Sequence, residues 1–199
     1  MNPNDKIDPR FLTSPDGKPL LFPGTPLVFC DGQKVYNKLA EKYLRHSRGL
    51  FIVAPSGAGK TYFTKSQKEK HWIDGDELWM ATDAHPAGAW WEDKDNGNSL
   101  NMKEIDAKSD IVTMEAKKLG FWIIGASNLW LVPDAVVIPD WELHKSYINN
   151  RQNNNYDGGA TNDRLQQVIN HRERIIKHAK DNNVPIFKSV DDAVKYLTS

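Results

Sequence analysis

A short apolar run, Leu50–Val53, leads directly into a loop of small residues that ends in Gly59-Lys60-Thr61. This stretch constrains the fold more than any other feature, because a strand, a tight loop and a helix must follow one another without a break. The small side chains of the loop (the glycine loop, Ala54–Thr61) allow successive backbone N–H groups to converge on one anion. The sequence therefore predicts a buried strand, an anion-binding loop and a helix whose N-terminus faces the same anion.

The residue types of the glycine loop match the requirements of a nucleoside triphosphate. Lys60 has the reach to contact the β- and γ-phosphates, and Thr61 can ligate Mg²⁺ at the start of the helix. Ala54 replaces the first glycine of the usual pattern with another small residue. A glycine-rich turn with a solubilising lysine is the alternative, but the flanking strand and the helix-compatible residues 62–70 favour phosphate binding. We therefore expect ATP and Mg²⁺ as cofactors, bound by Ser56, Gly57, Ala58, Gly59, Lys60 and Thr61.

The composition predicts a single soluble domain. The chain has 199 residues, of which 39% are hydrophobic and 26% are charged. Its formal net charge is zero, which argues against a broadly basic nucleic-acid surface and still permits a local basic patch. The single cysteine, Cys30, excludes an internal disulfide and predicts a cytoplasmic location. Polar residues and a proline interrupt the most apolar window, residues 121–139, so we expect two strands there and no membrane span.

Apolar runs alternate with segments of helical spacing along most of the chain. Such alternation predicts a three-layer α/β fold, with a parallel sheet covered by helices on both faces. The predicted strands are Leu50–Val53, His71–Asp74, Phe121–Gly125, Ala135–Ile138 and Val184–Phe187. The predicted helices are 33–46, which would bury Val35, Leu39 and Leu44, then 62–70, 101–119 with Asn101 as its cap, 141–151, 163–181 and 190–197. We expect an N-terminal arm and helix in residues 1–46 and the sheet domain in residues 47–199.

Asp74 and Asp140 lie at the carboxyl ends of two predicted strands, where parallel sheets bind their ligands. Asp74-Gly75-Asp76 comes directly after the second strand. A phosphoryl-transfer enzyme needs one carboxylate for Mg²⁺ and another to orient the attacking hydroxyl, and this pair can supply both. A solvated acidic turn is the alternative. The third strand ends in Gly125-Ala126-Ser127 without a carboxylate, which disfavours a motor ATPase or a switch GTPase.

The glycine loop, the Asp74-Gly75-Asp76 turn and the later arginine-bearing helices resemble small P-loop kinases. The closest pattern is that of gluconate, shikimate and adenylylsulfate kinases, which have Asp-x-Asp or Asp-Gly-Asp after strand two. The resemblance covers residues 48–199. It implies a nucleoside-monophosphate-kinase-type topology, with a five-stranded parallel sheet in the order 2-3-1-4-5 and a mobile lid at about residues 152–162.

This resemblance implies a role for each loop and turn residue that matches the family pattern. Lys60 would bind the β- and γ-phosphates during transfer, and Thr61 and Asp74 would hold Mg²⁺. Asp76 would orient the acceptor hydroxyl. Together Lys60, Asp74 and Asp76 would form the catalytic centre.

Arginines beside the predicted lid resemble the lid arginines that neutralise the transferred phosphoryl group in this family. Arg151 and Arg164 flank the lid and would be catalytic, whereas Arg172 would bind the nucleotide. Arg164 and Arg172 are about two helical turns apart, so we expect them to share one helix face. Gly158-Gly159 suits a hinge, because glycine accepts backbone angles that other residues resist. Solvent-facing helix charges are the alternative for each arginine.

The predicted acceptor region, residues 77–101, is rich in tryptophan. Trp79 and the pair Trp90-Trp91 offer flat surfaces that can stack on a base or sugar, and core packing is the alternative for each. Glu92-Asp93 disfavours an anionic acceptor such as a nucleoside monophosphate. The six histidines have no metal-ligand spacing, and only His85 lies in this region.

A more specific resemblance lies in two runs, residues 137–145 (Val-Ile-Pro-Asp-Trp-Glu-Leu-His-Lys) and 155–161 (Asn-Tyr-Asp-Gly-Gly-Ala-Thr). Both resemble phage-encoded kinases that phosphorylate the hydroxymethyl group of 5-hydroxymethyluracil in DNA. This resemblance implies a DNA partner whose modified base is flipped out of the stack, and a location in the host cytoplasm. A kinase of a small polyol or sugar acid and a nucleotide-binding regulatory module without catalysis are the alternatives. The sequence leaves the oligomeric state open.

Overall fold

The computed structural model describes residues 27–29, 31–84, 99–126, 128, 130–154 and 159–199, except for the side chains of residues 99–104. The sheet and the glycine loop lie wholly within this part of the chain. Several predictions lie outside it: those for the arm before residue 27, Cys30, His85, Trp90-Trp91, Glu92-Asp93, Ser127 and Gly158.

Helices and strands alternate along the described chain. The helices are α1 (Val35–Lys42), α2 (Lys60–Ser66), α3 (Gly75–Ala81), α4 (Ser99–Lys118), α5 (Trp141–Asn153), α6 (Leu165–Asp181) and α7 (Val190–Thr198), and a 3₁₀ turn (Asn162–Arg164) precedes α6. The strands are β1 (Leu50–Val53), β2 (Trp72–Asp74), β3 (Trp122–Gly125), β4 (Ala135–Val137) and β5 (Ile186–Phe187). In the described segments, no helix combines the length and the apolarity needed to cross a membrane.

All five strands pair in parallel, in the order β2-β3-β1-β4-β5. The predicted α/β class, the parallel sheet and its strand order are confirmed. β1 lies at the centre, with Leu50 level with Trp122 of β3 and Val53 level with Val136 of β4. Every residue of β1 is buried, because both faces of a central parallel strand are covered.

Alternate residues of β1 contribute to two separate cores. Phe51 and Val53 belong to a core that also contains side chains of α1, α3, α4 and α6. Leu50 and Ile52 belong to a second core, with Phe63 of α2 and side chains of α7. Successive side chains of a strand point to opposite faces of the sheet, so one apolar run supplies both cores. The helices therefore lie on both sides of the sheet.

Two predictions about helix ends are wrong. α1 ends before Tyr43, whose backbone is extended (φ −122°, ψ 145°), so the chain has left the helix when it reaches Leu44. Leu44 is 45% exposed, whereas Val35 and Leu39 are buried as predicted. α4 begins at residue 99, so Asn101 lies inside the helix and does not cap it.

Trp79 is a core residue, which corrects its predicted position at an acceptor. Its ring is fully buried, and its Nε1 donates a hydrogen bond of 2.9 Å to Thr113 Oγ1 on α4. The ring packs against two glycines: a Cβ at Gly125 would lie 2.5 Å from Cη2, and one at Gly75 would lie 3.0 Å from Cζ2. α3 can therefore approach the end of β3 only because both positions lack a side chain.

We predict that Gly125→Ala destabilises the protein by about 1–3 kcal/mol, because the new methyl group overlaps the Trp79 ring and forces a shift in the core. Urea denaturation monitored by tryptophan fluorescence measures the change. Lys65→Ala, on an exposed position of α2, is the control and should stay within about 0.5 kcal/mol of the parent. Equal stability of Gly125→Ala and the parent would show that Trp79 does not pack tightly on β3.

Candidate active site

The glycine loop leaves the central strand at the carboxyl edge of the sheet and ends in α2. Gly57 and Gly59 have left-handed backbones (φ +84° and +93°), which favour glycine at both positions. Space is a second constraint at Gly57, because a Cβ there would lie 3.0 Å from Ile148 Cγ1 and 3.3 Å from His144 Nε2 on α5. At Gly59 a Cβ would have no neighbour within 4 Å. The loop is thus packed against α5 on one side and open at its last turn.

Lys60 is the first residue of α2, and only 6% of it is exposed. Its Nζ donates hydrogen bonds to the carbonyl oxygens of Ala54 and Pro55, both at 3.2 Å. Burial lowers the pKa of this ammonium, while the charges of Asp76 and Asp74 act in the opposite direction. Two long hydrogen bonds to neutral carbonyls offset only part of the cost of burying a cation. An anion in the loop would supply further compensation.

Thr61 and Asp74 are brought together, as predicted for metal ligands. Thr61 Oγ1 donates a hydrogen bond of 2.8 Å to Asp74 Oδ2, while Asp74 Oδ1 accepts one of 3.1 Å from the Asp76 N–H and so caps α3. Burial raises the pKa of Asp74, and the charge of Asp76 raises it further, against the effects of Lys60 and the Thr61 hydrogen bond. A hydroxyl oxygen and a carboxylate oxygen side by side are ligands that suit Mg²⁺.

Asp76 lies in the first turn of α3 and is partly exposed. The charge of Asp76 raises the pKa of both Lys60 and Asp74, so these three of the predicted catalytic residues interact electrostatically. Within the described ranges, the Asp76 carboxylate takes part in neither a hydrogen bond nor a salt bridge. A buried carboxylate such as Asp74, whose pKa is raised by desolvation and by a second carboxylate beside it, is a candidate functional group.

The Ser56 hydroxyl connects the glycine loop to the end of the predicted lid. Its Oγ accepts a hydrogen bond of 3.0 Å from the Ala160 N–H and one of 3.5 Å from Arg151 Nη1. Gly159 has a left-handed backbone (φ +75°), and a Cβ there would lie 2.4 Å from Ser56 Oγ. Arg151 therefore lies beside the glycine loop, and its contact with a transferred phosphoryl group stays a prediction. The opening and closing of a lid stays a prediction.

The other two predicted arginines make different contacts. Arg164 ends the 3₁₀ turn and is the N-cap of α6 (φ −118°, ψ 23°), so it precedes the helix that carries Arg172, and the prediction that the two share one helix is wrong. Arg164 Nε lies 3.8 Å from Asp163 Oδ2. Arg172 lies behind the glycine loop, where its Nη2 donates to the Pro139 carbonyl and its Nη1 contacts His144 Nδ1, both at 2.8 Å. Direct nucleotide contacts by either arginine stay predictions.

His144 contacts the glycine loop, and the sequence analysis missed it. The side chain is fully buried on α5, and its Nε2 lies 2.8 Å from the carbonyl oxygen of Ser56. Burial lowers its pKa, against the effect of the Ser56 hydrogen bond. A sequence signal did exist: His144 and Ile148 are four residues apart on the first helix after β4, so they share the face turned toward the loop.

His171 is a second histidine near this edge. It is partly buried on α6 and hydrogen bonds to the backbone of Ala126, directly after β3. Burial, followed by the charge of Arg174, lowers its pKa to about 3, so the imidazole is neutral at physiological pH. A neutral imidazole from α6 therefore lies beside the end of β3, which has no carboxylate of its own.

No protein-family model matches this chain, and comparison with curated proteins also finds no match. The class of site must therefore be inferred from its geometry. A glycine loop, a buried ammonium and a paired hydroxyl and carboxylate meet at the carboxyl edge of a parallel sheet. These groups have the charges and hydrogen-bond donors needed to hold a polyphosphate with a divalent cation.

We predict that Lys60→Met stays within about 1 kcal/mol of the parent's free energy of unfolding at pH 7, because two effects oppose each other. The lowered pKa means that burying the ionised lysine costs stability at every pH below that pKa, and methionine removes this charge at similar length. Methionine also leaves the Ala54 and Pro55 carbonyls without the donor that Lys60 supplies. Urea denaturation measures the stability. Inorganic tripolyphosphate should raise the melting temperature of the parent and leave that of Lys60→Met unchanged.

Lys65→Met is the matched control, because Lys65 is exposed on the same helix. It should keep both the stability and the response to tripolyphosphate. A loss of more than about 1 kcal/mol in Lys60→Met alone would mean that the ammonium stabilises the fold itself rather than binding an anion.

Proposed function

We propose that this chain is a P-loop kinase that uses ATP and Mg²⁺ to phosphorylate a hydroxyl group. The main support is the buried ammonium of Lys60 within a loop that begins directly after the central strand of a 2-3-1-4-5 sheet. A buried cation in contact with neutral carbonyls gains most from a polyanion. The Thr61–Asp74 hydrogen bond beside it supports a magnesium site.

The described side chains support a division of labour during phosphoryl transfer. Lys60 would hold the β- and γ-phosphates, and the bound Mg²⁺ would neutralise charge on the same oxygens. Asp76 would orient the acceptor hydroxyl and take its proton while the hydroxyl oxygen displaces ADP from the γ-phosphorus. Arg151, which lies beside Ser56, and Arg164 would neutralise the transferred group.

The leading acceptor is 5-hydroxymethyluracil in DNA. Two runs, residues 137–145 and 155–161, resemble phage-encoded kinases of this base. His144 of the first run and Ala160 of the second both contact Ser56 of the glycine loop. A base in duplex DNA must be flipped out before its substituent can react. Because Trp79 is buried, base stacking falls to other residues of the acceptor region.

We predict that the protein transfers label from γ-labelled ATP to a single-stranded oligonucleotide containing 5-hydroxymethyluracil, and that transfer needs Mg²⁺. The same oligonucleotide with thymine is the control and should stay unlabelled, since it lacks the hydroxyl. The apparent affinity for the oligonucleotide should fall steeply with added salt, because DNA binding releases counterions.

Other outcomes separate the alternatives. Labelling of free sugar acids or polyols, without labelling of the oligonucleotide, would identify a small-metabolite kinase. Binding of Mg-ATP without transfer to any acceptor would favour the regulatory module. Absence of Mg-ATP binding in calorimetry would overturn the kinase proposal altogether.

We predict that Asp76→Asn lowers kcat by about 10²–10⁴-fold and leaves the Kd for Mg-ATP within about threefold of the parent. Asparagine keeps the shape, and its backbone N–H can still donate to Asp74, the cap of α3, but its side chain does not accept the hydroxyl proton. Steady-state kinetics and calorimetry measure the two constants. Asp191→Asn, the same chemical change at an exposed position in the first turn of α7, should leave both unchanged. Undiminished turnover in Asp76→Asn would remove this carboxylate from the reaction.

A further inference from the structure

The carbonyl groups of an anion-binding loop need hydrogen-bond donors of their own. The backbone N–H groups must converge on the anion, so the carbonyls of the same peptides point outward into the protein. The peptide between Ser56 and Gly57 illustrates this, because its carbonyl oxygen lies 2.8 Å from His144 Nε2. Since a trans peptide points its C=O and N–H in opposite directions, the bond to His144 also sets the direction of the Gly57 N–H.

Arg172 determines which nitrogen of His144 carries the proton. Its Nη1 lies 2.8 Å from His144 Nδ1, and a guanidinium can only donate. Nδ1 must therefore accept, which leaves the proton on Nε2, where it is donated to Ser56. The second guanidinium nitrogen of Arg172 donates to the Pro139 carbonyl at 2.8 Å, just before α5. Two hydrogen bonds, one to His144 and one to Pro139, thus hold the guanidinium of Arg172 in place.

We propose that His144 is a positioning residue for the nucleotide phosphates: its imidazole, held in one tautomer by Arg172, fixes the Ser56–Gly57 peptide with its N–H directed into the glycine loop. The inference rests on the kinase function proposed above. It assigns Arg172 an indirect part in nucleotide binding, through His144.

Close packing around His144 also restricts the position of its imidazole. His144 and Ile148 are both fully buried and both touch the space next to Gly57, where a Cβ would lie 3.3 Å from Nε2 and 3.0 Å from Cγ1. The Ser56 hydroxyl is held separately, by the Ala160 N–H at 3.0 Å. Helix α5 therefore controls the carbonyl of Ser56, and the end of the predicted lid controls its side chain.

Protonation of His144 would break this arrangement, because Nδ1 would then carry a proton toward a guanidinium. The charged groups that act on it are all cationic, namely Arg172, Lys60 and Arg151, and the neutral His171 lies nearby. Burial and these cations lower the pKa of His144 below its usual 6.5. The neutral form therefore persists below pH 6.5 and is lost only as the pH falls through the lowered pKa.

Two substitutions of His144 separate positioning from packing. Glutamine offers one amide donor for Ser56 and one carbonyl acceptor for Arg172, and it does not titrate. Leucine fills similar volume but offers neither. We expect the KM for Mg-ATP to rise at least about tenfold in His144→Leu and to stay within about threefold of the parent in His144→Gln, with thermal melting confirming that both are folded.

The pH dependence provides a second readout that a purely structural role would not change. The KM for Mg-ATP of the parent, divided by that of His144→Gln at the same pH, should rise as the pH falls through the lowered pKa of His144. Taking this ratio cancels the titration of ATP itself. A ratio that stays constant from pH 8 down to the lowest pH at which both proteins remain folded would overturn the assignment of His144 as the titrating contact.

Arg172→Met tests the chain of contacts without altering the buried histidine, and it serves if His144→Leu does not fold. It should raise the KM for Mg-ATP in the same direction, and its effect should be largely absent in the His144→Gln background, where the amide cannot adopt a wrong tautomer. Fully additive effects would mean that Arg172 binds the nucleotide directly. If the parent binds no Mg-ATP, the kinase proposal fails; if it binds, and His144→Leu binds equally well, only the role of His144 fails.

Discussion

The orientation of the peptides in the glycine loop is the constraint on which the rest of the site depends. A loop that turns its N–H groups toward one point turns its carbonyls away from that point, and buried carbonyls need donors. The protein supplies them from two sides. Lys60 donates to Ala54 and Pro55, and His144 donates to Ser56. Two left-handed glycines then let the chain turn without strain. The helix behind the loop is therefore as much a part of the site as the loop itself.

The charged groups at this edge of the sheet lower the stability of the protein when no ligand is bound. Burial lowers the pKa of Lys60 and raises the pKa of Asp74, and Asp76 adds a second carboxylate to the first. Burying the ammonium, burying the carboxylate and placing two carboxylates close together each cost stability in the unliganded protein. A polyphosphate with a divalent cation would satisfy all three groups at once, since it brings negative charge to Lys60 and positive charge to the carboxylates. This complementarity supports the nucleotide binding that the proposed kinase function requires.

Much of the fold could be predicted from the pattern of residues. The buried central strand has the predicted bounds, and apolar runs that alternate with helical segments predicted a parallel sheet. The strand order was implied by the resemblance to small P-loop kinases, and the structure has that order. Thr61 and Asp74 could be expected near one metal ion, since the loop after β1 and the end of β2 both lie at the carboxyl edge of the sheet. Helix ends were less predictable. Leu44 and Asn101 both suit a helix by residue type, but the backbone leaves α1 before the first and enters α4 before the second.

By itself, the sequence determined the strands, the glycine loop, Lys60 within it and the Asp74-Gly75-Asp76 turn, because these depend on residues close together in the chain. Tertiary structure decided the contacts between distant residues. Ser56 and His144 are 88 residues apart, and Ser56 and Ala160 are 104 apart. The sequence alone left open whether Trp79 lies in the core or at the acceptor. Its ring fits in the core because Gly75 and Gly125 lack side chains and Thr113 accepts its hydrogen bond. A side chain's own chemistry states what it can donate or accept, but only the packing of helices on the sheet decides which partner it meets.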